Sequence, residues 1–208
     1  MQITLTNTGK RFNREWIFRH VDLVFHPAKA YAITGPNGSG KSTLLQVIAG
    51  ATLHNEGQVS YLPQANGATK NNDIEPYRYL AMAAPYLELI EEMTAKEMLE
   101  FHSQFKTLTL SNEEILEIVG LTKATDKQLR NFSSGMKQRL KLAQAFFSDT
   151  PVLLLDEPTT NLDADGIALY HSLIDNYSKN KMVIVSSNDP QEYDFCTEVI
   201  GIGKYKSV

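Results

Sequence analysis

The sequence predicts an α/β fold, a largely parallel sheet interrupted by a helical insert. Three observations predict it. A short apolar run, Tyr31 to Thr34, stops at a glycine-rich loop that opens a helical stretch, Ser42 to Ala49. Two continuous apolar runs, Val152 to Leu155 and Met182 to Val185, flank a helical stretch at about 164–178. An unbroken apolar run is how a parallel strand covered on both faces reads. From about 80 to 148 the pattern is helical, so strands and helices alternate at both ends around a helical block.

The elements follow in order. Residues 2–6 and 21–25 alternate as half-buried strands, with the turn-like stretch Asn7 to Arg14 between them. Gly50 suits the C′ position of the helix over 42–49. Gly57 to Gly67 reads as a hairpin or a strand and turn, with Asn66-Gly67 as the turn signal. Residues 68–76 are polar and expected to be exposed. Thr94-Ala-Lys-Glu97 and Ser111-Asn-Glu-Glu114 are capping-box patterns ahead of apolar helical residues, and Gly120 is a plausible stop for the second helix. The expected division is a single domain over 1–208, with 1–79 and 149–208 forming the core and 80–148 a helical subdomain.

Composition limits the function classes. The chain has 208 residues, enough for one domain with a sizeable core. Its formal net charge of −4 argues against nucleic-acid binding by bulk electrostatics, and no basic run appears. With one cysteine, Cys196, no disulfide forms within the chain, which fits a reducing compartment and a buried structural thiol. No stretch approaches the ~20 apolar residues of a membrane span. The first residues alternate like a strand rather than a leader peptide.

Gly35-Pro36-Asn37-Gly38-Ser39-Gly40-Lys41-Ser42, followed by Thr43, fits G-x-x-x-x-G-K-[ST] between a strand and a helix, the context that phosphate loop requires. Glycines let the main chain approach a triphosphate closely, and successive N–H groups form an anion nest at the positive end of a helix. Lys41 supplies a point charge for the β- and γ-phosphates, and the Ser42 hydroxyl is placed for Mg²⁺. Leu155-Asp156-Glu157-Pro158 ends a buried strand, where ligands of open α/β sheets bind. Asp156 is therefore expected to hold the Mg²⁺ shell. Glu157 is expected to take a proton from the attacking water, work that needs an acceptor ionised at neutral pH.

Phe132-Ser133-Ser134-Gly135-Met136 precedes this strand, and Asn161-Leu162-Asp163 follows it. In this order and with the phosphate loop, these segments resemble the ABC (ATP-binding cassette) ATPase family over nearly the whole chain. The first resembles the family's L-S-G-G-Q signature and the second its D-loop. The resemblance implies a P-loop NTPase core sheet with an antiparallel β-subdomain and an inserted α-helical subdomain. It implies ATP and Mg²⁺ as ligands and a head-to-tail pair of cassettes, in which Ser133, Ser134 and Gly135 close over the ATP of the other chain, with Asp163 beside the site. It also implies that Phe12 stacks on adenine, with Trp16 as the second candidate.

Three positions depart from the family pattern. Ser134 and Met136 replace a glycine and the glutamine of the signature; backbone donors do much of that work, so binding is expected to survive. Gln64, in Tyr61-Leu-Pro-Gln64, falls too early to be the family's Q-loop glutamine. Counting back from Thr94 reaches Ala84 to Glu88, where Glu88 either substitutes or the role is vacant. Asn188 stands at the switch position of a histidine, and an amide donates to phosphate but does not take a proton near neutral pH. Slow hydrolysis carried by Glu157 is the expectation.

By resemblance, the chain is a transporter's ATP-binding subunit, cytoplasmic and peripheral on the cytoplasmic face of a membrane, docking a separate membrane subunit at Pro85 to Glu92. Two other readings stay open. One is a soluble ABC ATPase acting on ribosomes or DNA, and the other a weakly hydrolytic nucleotide-binding module. No feature points to an importer fed by a substrate-binding protein, which favours export.

Overall fold

The structure, a computed structural model, describes residues 1–63 and 74–206. Gln64 and the Asn66-Gly67 turn lie outside the described residues. The chain begins with two long strands, β1 (Gln2–Phe12) and β2 (Glu15–Phe25), and continues through β3 (Ala30–Thr34), α1 (Lys41–Ile48) and β4 (Glu56–Leu62). Next come β5 (Leu80–Ala83), α2 (Ala95–Ser103), α3 (Asn112–Ile118) and α4 (Ser134–Phe147). It closes with β6 (Val152–Asp156), α5 (Ala164–Tyr177), β7 (Met182–Ser186) and β8 (Glu198–Gly201).

Two sheets form among the described residues. An antiparallel sheet has the order β2-β1-β4, and a parallel sheet the order β5-β6-β7-β3-β8. Every residue of β6 and β7 is buried, as the unbroken apolar runs require. The period of two then divides their side chains between two cores. Leu153, Leu155, Val183 and Val185 join the helices of the 95–174 region. Val152, Leu154, Met182 and Ile184 join α1 and the first two strands through Leu44, Leu45, Ile3 and Phe18.

Local signals set the helix ends. Thr94 and Ser111 each form a full capping box, with Glu97 and Glu114 returning the bond. Gly50 and Gly120 adopt φ of 72° and 70° at the C′ positions of α1 and α3. Ala51 N–H then donates to Gln46 O and Leu121 N–H to Leu116 O, closing two Schellman motifs.

Two expectations need correcting. The stretch Asn7 to Arg14 is not a turn; β1 runs through to Phe12 and only Asn13-Arg14 reverses the chain. The turn-forming residues are absorbed into register shifts between Leu5 and Arg11. Gly57, at φ +75°, is the partner that permits this, because a Cβ there would lie 2.2 Å from the Asn7 carbonyl oxygen. Leu80 to Ala83 is not helical but the edge strand β5, pairing in parallel with β6. The helical block therefore starts beyond Ala83. At the start of α4, Ser133 Oγ accepts from Met136 N–H and caps the helix, which runs from Ser134.

His102 joins α2 to the end of α4. Its Nε2 lies 2.9 Å from Ser148 Oγ, which itself donates to Gln144 O. Burial, then the Lys106 ammonium, pushes the imidazole from 6.5 down to about 4. A base depressed in the folded state stabilises the fold above its unfolded value and loses that contribution as pH falls. Thermal unfolding is thus expected to shift downward as pH drops from about 6.5 towards about 4. His102→Gln should flatten that part of the curve; parallel curves for the two proteins would contradict the assignment.

Candidate functional site

The glycine-rich loop leaves β3 at the carboxyl edge of the parallel sheet and enters α1 with Gly40 as N-cap. Gly35, Gly38 and Gly40 have φ of 151°, 75° and 97°. Gly40 is the most constrained, since a Cβ there would stand 2.4 Å from Ile17 Cγ2 of β2. The cleft over the loop measures about 230 Å³ and is lined by Ile17, Asn37, Gly38, Gly40, Lys41, Ser42, Thr43 and Glu157. Lys41 is buried and its Nζ donates to Gly35 O at 2.7 Å and Pro36 O at 3.4 Å.

Glu157 reaches this cleft through an uncommon backbone. Its φ is 40°, a left-handed conformation that costs a non-glycine residue about 1–3 kcal/mol, and its N–H donates to Ser186 O. The neighbouring Asp156 is 1% exposed, and neither carboxylate oxygen has a hydrogen-bond partner. Ser39 Oγ and Ser186 Oγ are likewise buried and unpartnered. Buried polar atoms are normally satisfied, so orphans gathered at one sheet edge mark a place built for a polar ligand.

Asp156 is not alone. The Tyr86 phenol sits beside Gln46 and Asp156, and burial, with the Asp156 charge contributing, pushes it up to about 12. Gln46 lies one helical turn after Ser42, so the two residues share a face of α1. Among the described residues no three His, Cys, Asp or Glu side chains converge as a metal site. A hydroxyl and a single carboxylate instead fit Mg²⁺, which takes few protein ligands and shares its shell with phosphates and water. The triphosphate fits the cradle for the reasons of backbone approach given above.

Asn188 is drawn against the loop. Its Oδ1 accepts from Gly35 N–H at 3.1 Å, and its Nδ2 donates to Asn37 Oδ1 at 3.2 Å. Glu88, the sequence candidate for the Q-loop role, lines a groove with Pro85, Leu87, Glu92 and Lys141. The residue beside Asp156 is Tyr86, two positions earlier. The segment reached by counting, Ala84 to Glu88, includes this tyrosine, and only its place beside Asp156 singles it out.

Phe12 is 49% exposed near the hairpin tip and does not line the phosphate cleft; Ile17 does. The Lys10 ammonium lies 4.7 Å from its ring centre. Trp16 has the Arg11 and Arg19 guanidinium groups over its ring, at 5.4 and 4.3 Å, and Phe12 is the more exposed of the two residues.

Ser133, Ser134, Gly135 and Asp163 come together elsewhere. They line a second cleft of about 580 Å³ with Lys123, Lys127, Arg139 and Asn161, which contains none of the phosphate-loop residues. A Cβ on Gly135 would lie 2.9 Å from Asn161 O, so the glycine lets the two segments touch. Asp163 caps α5 by accepting from Gly166 N–H at 2.8 Å and pairs with Arg139 at 3.1 Å. Those two contacts, Gly166 first, hold its carboxyl below the usual range.

Residues 18–160 match the protein family described as ABC transporter. The chain belongs to the ABC transporter family. Similar relatives of this cassette include the uncharacterized ABC transporter ATP-binding protein YybJ of Bacillus subtilis, 29% identical over 91% of this chain and 86% of that protein. The cytochrome c biogenesis ATP-binding export protein CcmA of Xylella fastidiosa is 36% identical over 73% of this chain and 68% of its own length. Among solved structures, a putative ABC transporter ATP-binding protein of Pyrococcus furiosus superposes with a TM-score of 0.79 at 17% identity, each chain covered in full. A bacterial ABC transporter cassette described as dimeric matches at a TM-score of 0.79 and 23% identity over 97% of this chain and 95% of its own. These likenesses bear out the α/β cassette architecture. No helix among the described residues is long and apolar enough to cross a membrane.

Proposed function

We propose that this cassette binds and hydrolyses MgATP in a head-to-tail dimer and drives transport through a separate membrane subunit. The observation that carries the reading is the separation of two half-sites. The phosphate cleft and the cleft at the start of α4 share no residue, and the second presents the free N–H groups of a helix N-terminus with Lys123, Lys127 and Arg139 around it. A surface equipped for an anion but formed by none of the chain's own phosphate-loop residues suits the nucleotide of a second copy.

In this reading Phe12 stacks on adenine, residues Gly35 to Thr43 hold the phosphates, and Ser42 and Asp156 hold Mg²⁺, which neutralises phosphate charge when bound. Glu157 accepts the proton of the attacking water as its oxygen bonds to the γ-phosphorus and the bond to the bridging oxygen breaks. Asn188 releases Asn37 to donate to a phosphate oxygen. It takes no proton, so turnover is slow. Ser133, Ser134, Gly135 and Asp163 act across the dimer. The catalytic core then comprises 1–79 and 149–208 together with β5, and the helical subdomain lies between them.

The relatives named for export and for lantibiotic or bacitracin transport favour the transporter reading over a ribosome- or DNA-bound ATPase. So does the groove at Pro85 to Glu92, where apolar residues and three glutamates, set against Lys137 and Lys141, would seat a partner helix carrying some basic residues. The cassette would then sit on the cytoplasmic face of the membrane. Tagged Glu157→Gln protein with ATP, recovered from detergent-solubilised native membranes, should bring down a multi-span protein in stoichiometric amount. Recovery of ribosomes, nucleic acid or only itself would reject the transporter role.

A further inference from the structure

The residue beside Asp156 comes from the groove rather than from the phosphate loop. In the parallel pair of β5 and β6, Ala83 stands opposite Leu155, so the chain leaving β5 passes alongside Asp156. There it turns at once. Leu87 N–H donates to Ala84 O, which makes Pro85 and Tyr86 the two central residues of a β-turn, and Lys141 Nζ fixes the turn by donating to Pro85 O at 2.7 Å. The Tyr86 ring is 44% exposed, flanked in sequence by the groove residues Pro85 and Leu87. Its hydroxyl end lies beside Gln46 and Asp156.

Asp156 has two buried oxygens without a partner. An ion bound there takes one of them, and the other still needs a donor in a place closed to bulk water. We propose that Tyr86 is the positioning residue of the metal site: with MgATP bound, its hydroxyl donates to the second Asp156 oxygen and aims the first at the ion next to Ser42. This inference rests on Asp156 being an ion ligand, as read under the proposed function. A second hydroxyl near the carboxylate is that of Ser186, which pairs with Asp156 across the sheet and is itself unpartnered.

The test measures the Mg²⁺ concentration that half-saturates the metal-dependent gain in affinity for a fluorescent N-methylanthraniloyl-ATP, with binding in EDTA as the internal reference. Tyr86→Phe should raise that concentration roughly three- to tenfold, the effect of losing one hydrogen bond to a charged group, and Tyr86→Gln, which keeps a donor, should recover most of it. Asp156→Asn should raise it much further. A wild-type value for Tyr86→Phe alongside a large shift in Asp156→Asn overturns the role of Tyr86 alone. So does a shift in Ser186→Ala with none in Tyr86→Phe. No shift in Asp156→Asn removes the ion-ligand reading and this inference with it.

Discussion

Replacing Glu157 by glutamine is expected to lower ATP turnover about a hundred- to ten-thousandfold while leaving MgATP binding close to wild type. The range is that of a lost general base, and corresponds to about 3–5 kcal/mol of transition-state stabilisation. The prediction depends on where the carboxylate sits. Glu157 lines the phosphate cleft together with Lys41 and Ser42, and the left-handed backbone at φ 40° turns it there while Asp156 stays in the sheet. The amide is nearly isosteric and keeps one acceptor oxygen, so the cradle is preserved while proton acceptance is lost. Asn188 does not replace it, because its amide is engaged with Gly35 and Asn37 and takes no proton. Steady-state phosphate release, measured beside nucleotide affinity, decides the matter. Equal turnover in the two proteins would mean that another group activates the water.

Gly40→Ala should be the most damaging single methyl group in the cradle. Alanine at φ 97° pays the left-handed penalty of about 1–2 kcal/mol. Its Cβ would also meet Ile17 Cγ2 at 2.4 Å, an overpacking cost of about 1–3 kcal/mol. Both fall on the N-cap of α1, where the N–H groups that face phosphate are aligned. The loop yields either by shifting, at the expense of affinity, or by holding, at the expense of stability. An affinity loss on the order of a hundredfold or a matching fall in unfolding temperature is expected. The double variant Gly40→Ala, Ile17→Ala separates the two contributions, since it removes the clash and keeps the backbone strain. It should recover part of the loss but not all of it. Calorimetric titration and thermal unfolding together provide the check, and a single variant with wild-type values in both would show that the loop tolerates a side chain at this position.

Much of this molecule was legible because its signals are local. The phosphate loop carries its glycines, lysine and hydroxyl within eight residues, and β6 and β7 announce their burial in unbroken apolar runs. Both capping boxes and both C′ glycines could be read at four-residue range and appear in the structure as written. Other features depend on partners distant in the chain. Whether Leu80 to Ala83 is a strand or part of a helix is ambiguous in four apolar residues, and pairing with β6, some seventy positions later, decides it. Asn7 and Gly9 look like a turn until β2 and β4 impose a bulged ladder across them. Tyr86 carries no motif at all. Its place beside Asp156 follows from the register of two strands and a turn held by Lys141. The sequence by itself determined the cassette architecture and the chemistry of the phosphate cleft, because close backbone approach and buried strands demand particular residue types at short spacing. Only the tertiary structure decided which side chains meet around Asp156 and that the cleft at the start of α4 shares no residue with the phosphate cleft, because those contacts join segments whose separation along the chain leaves no periodic or short-range trace.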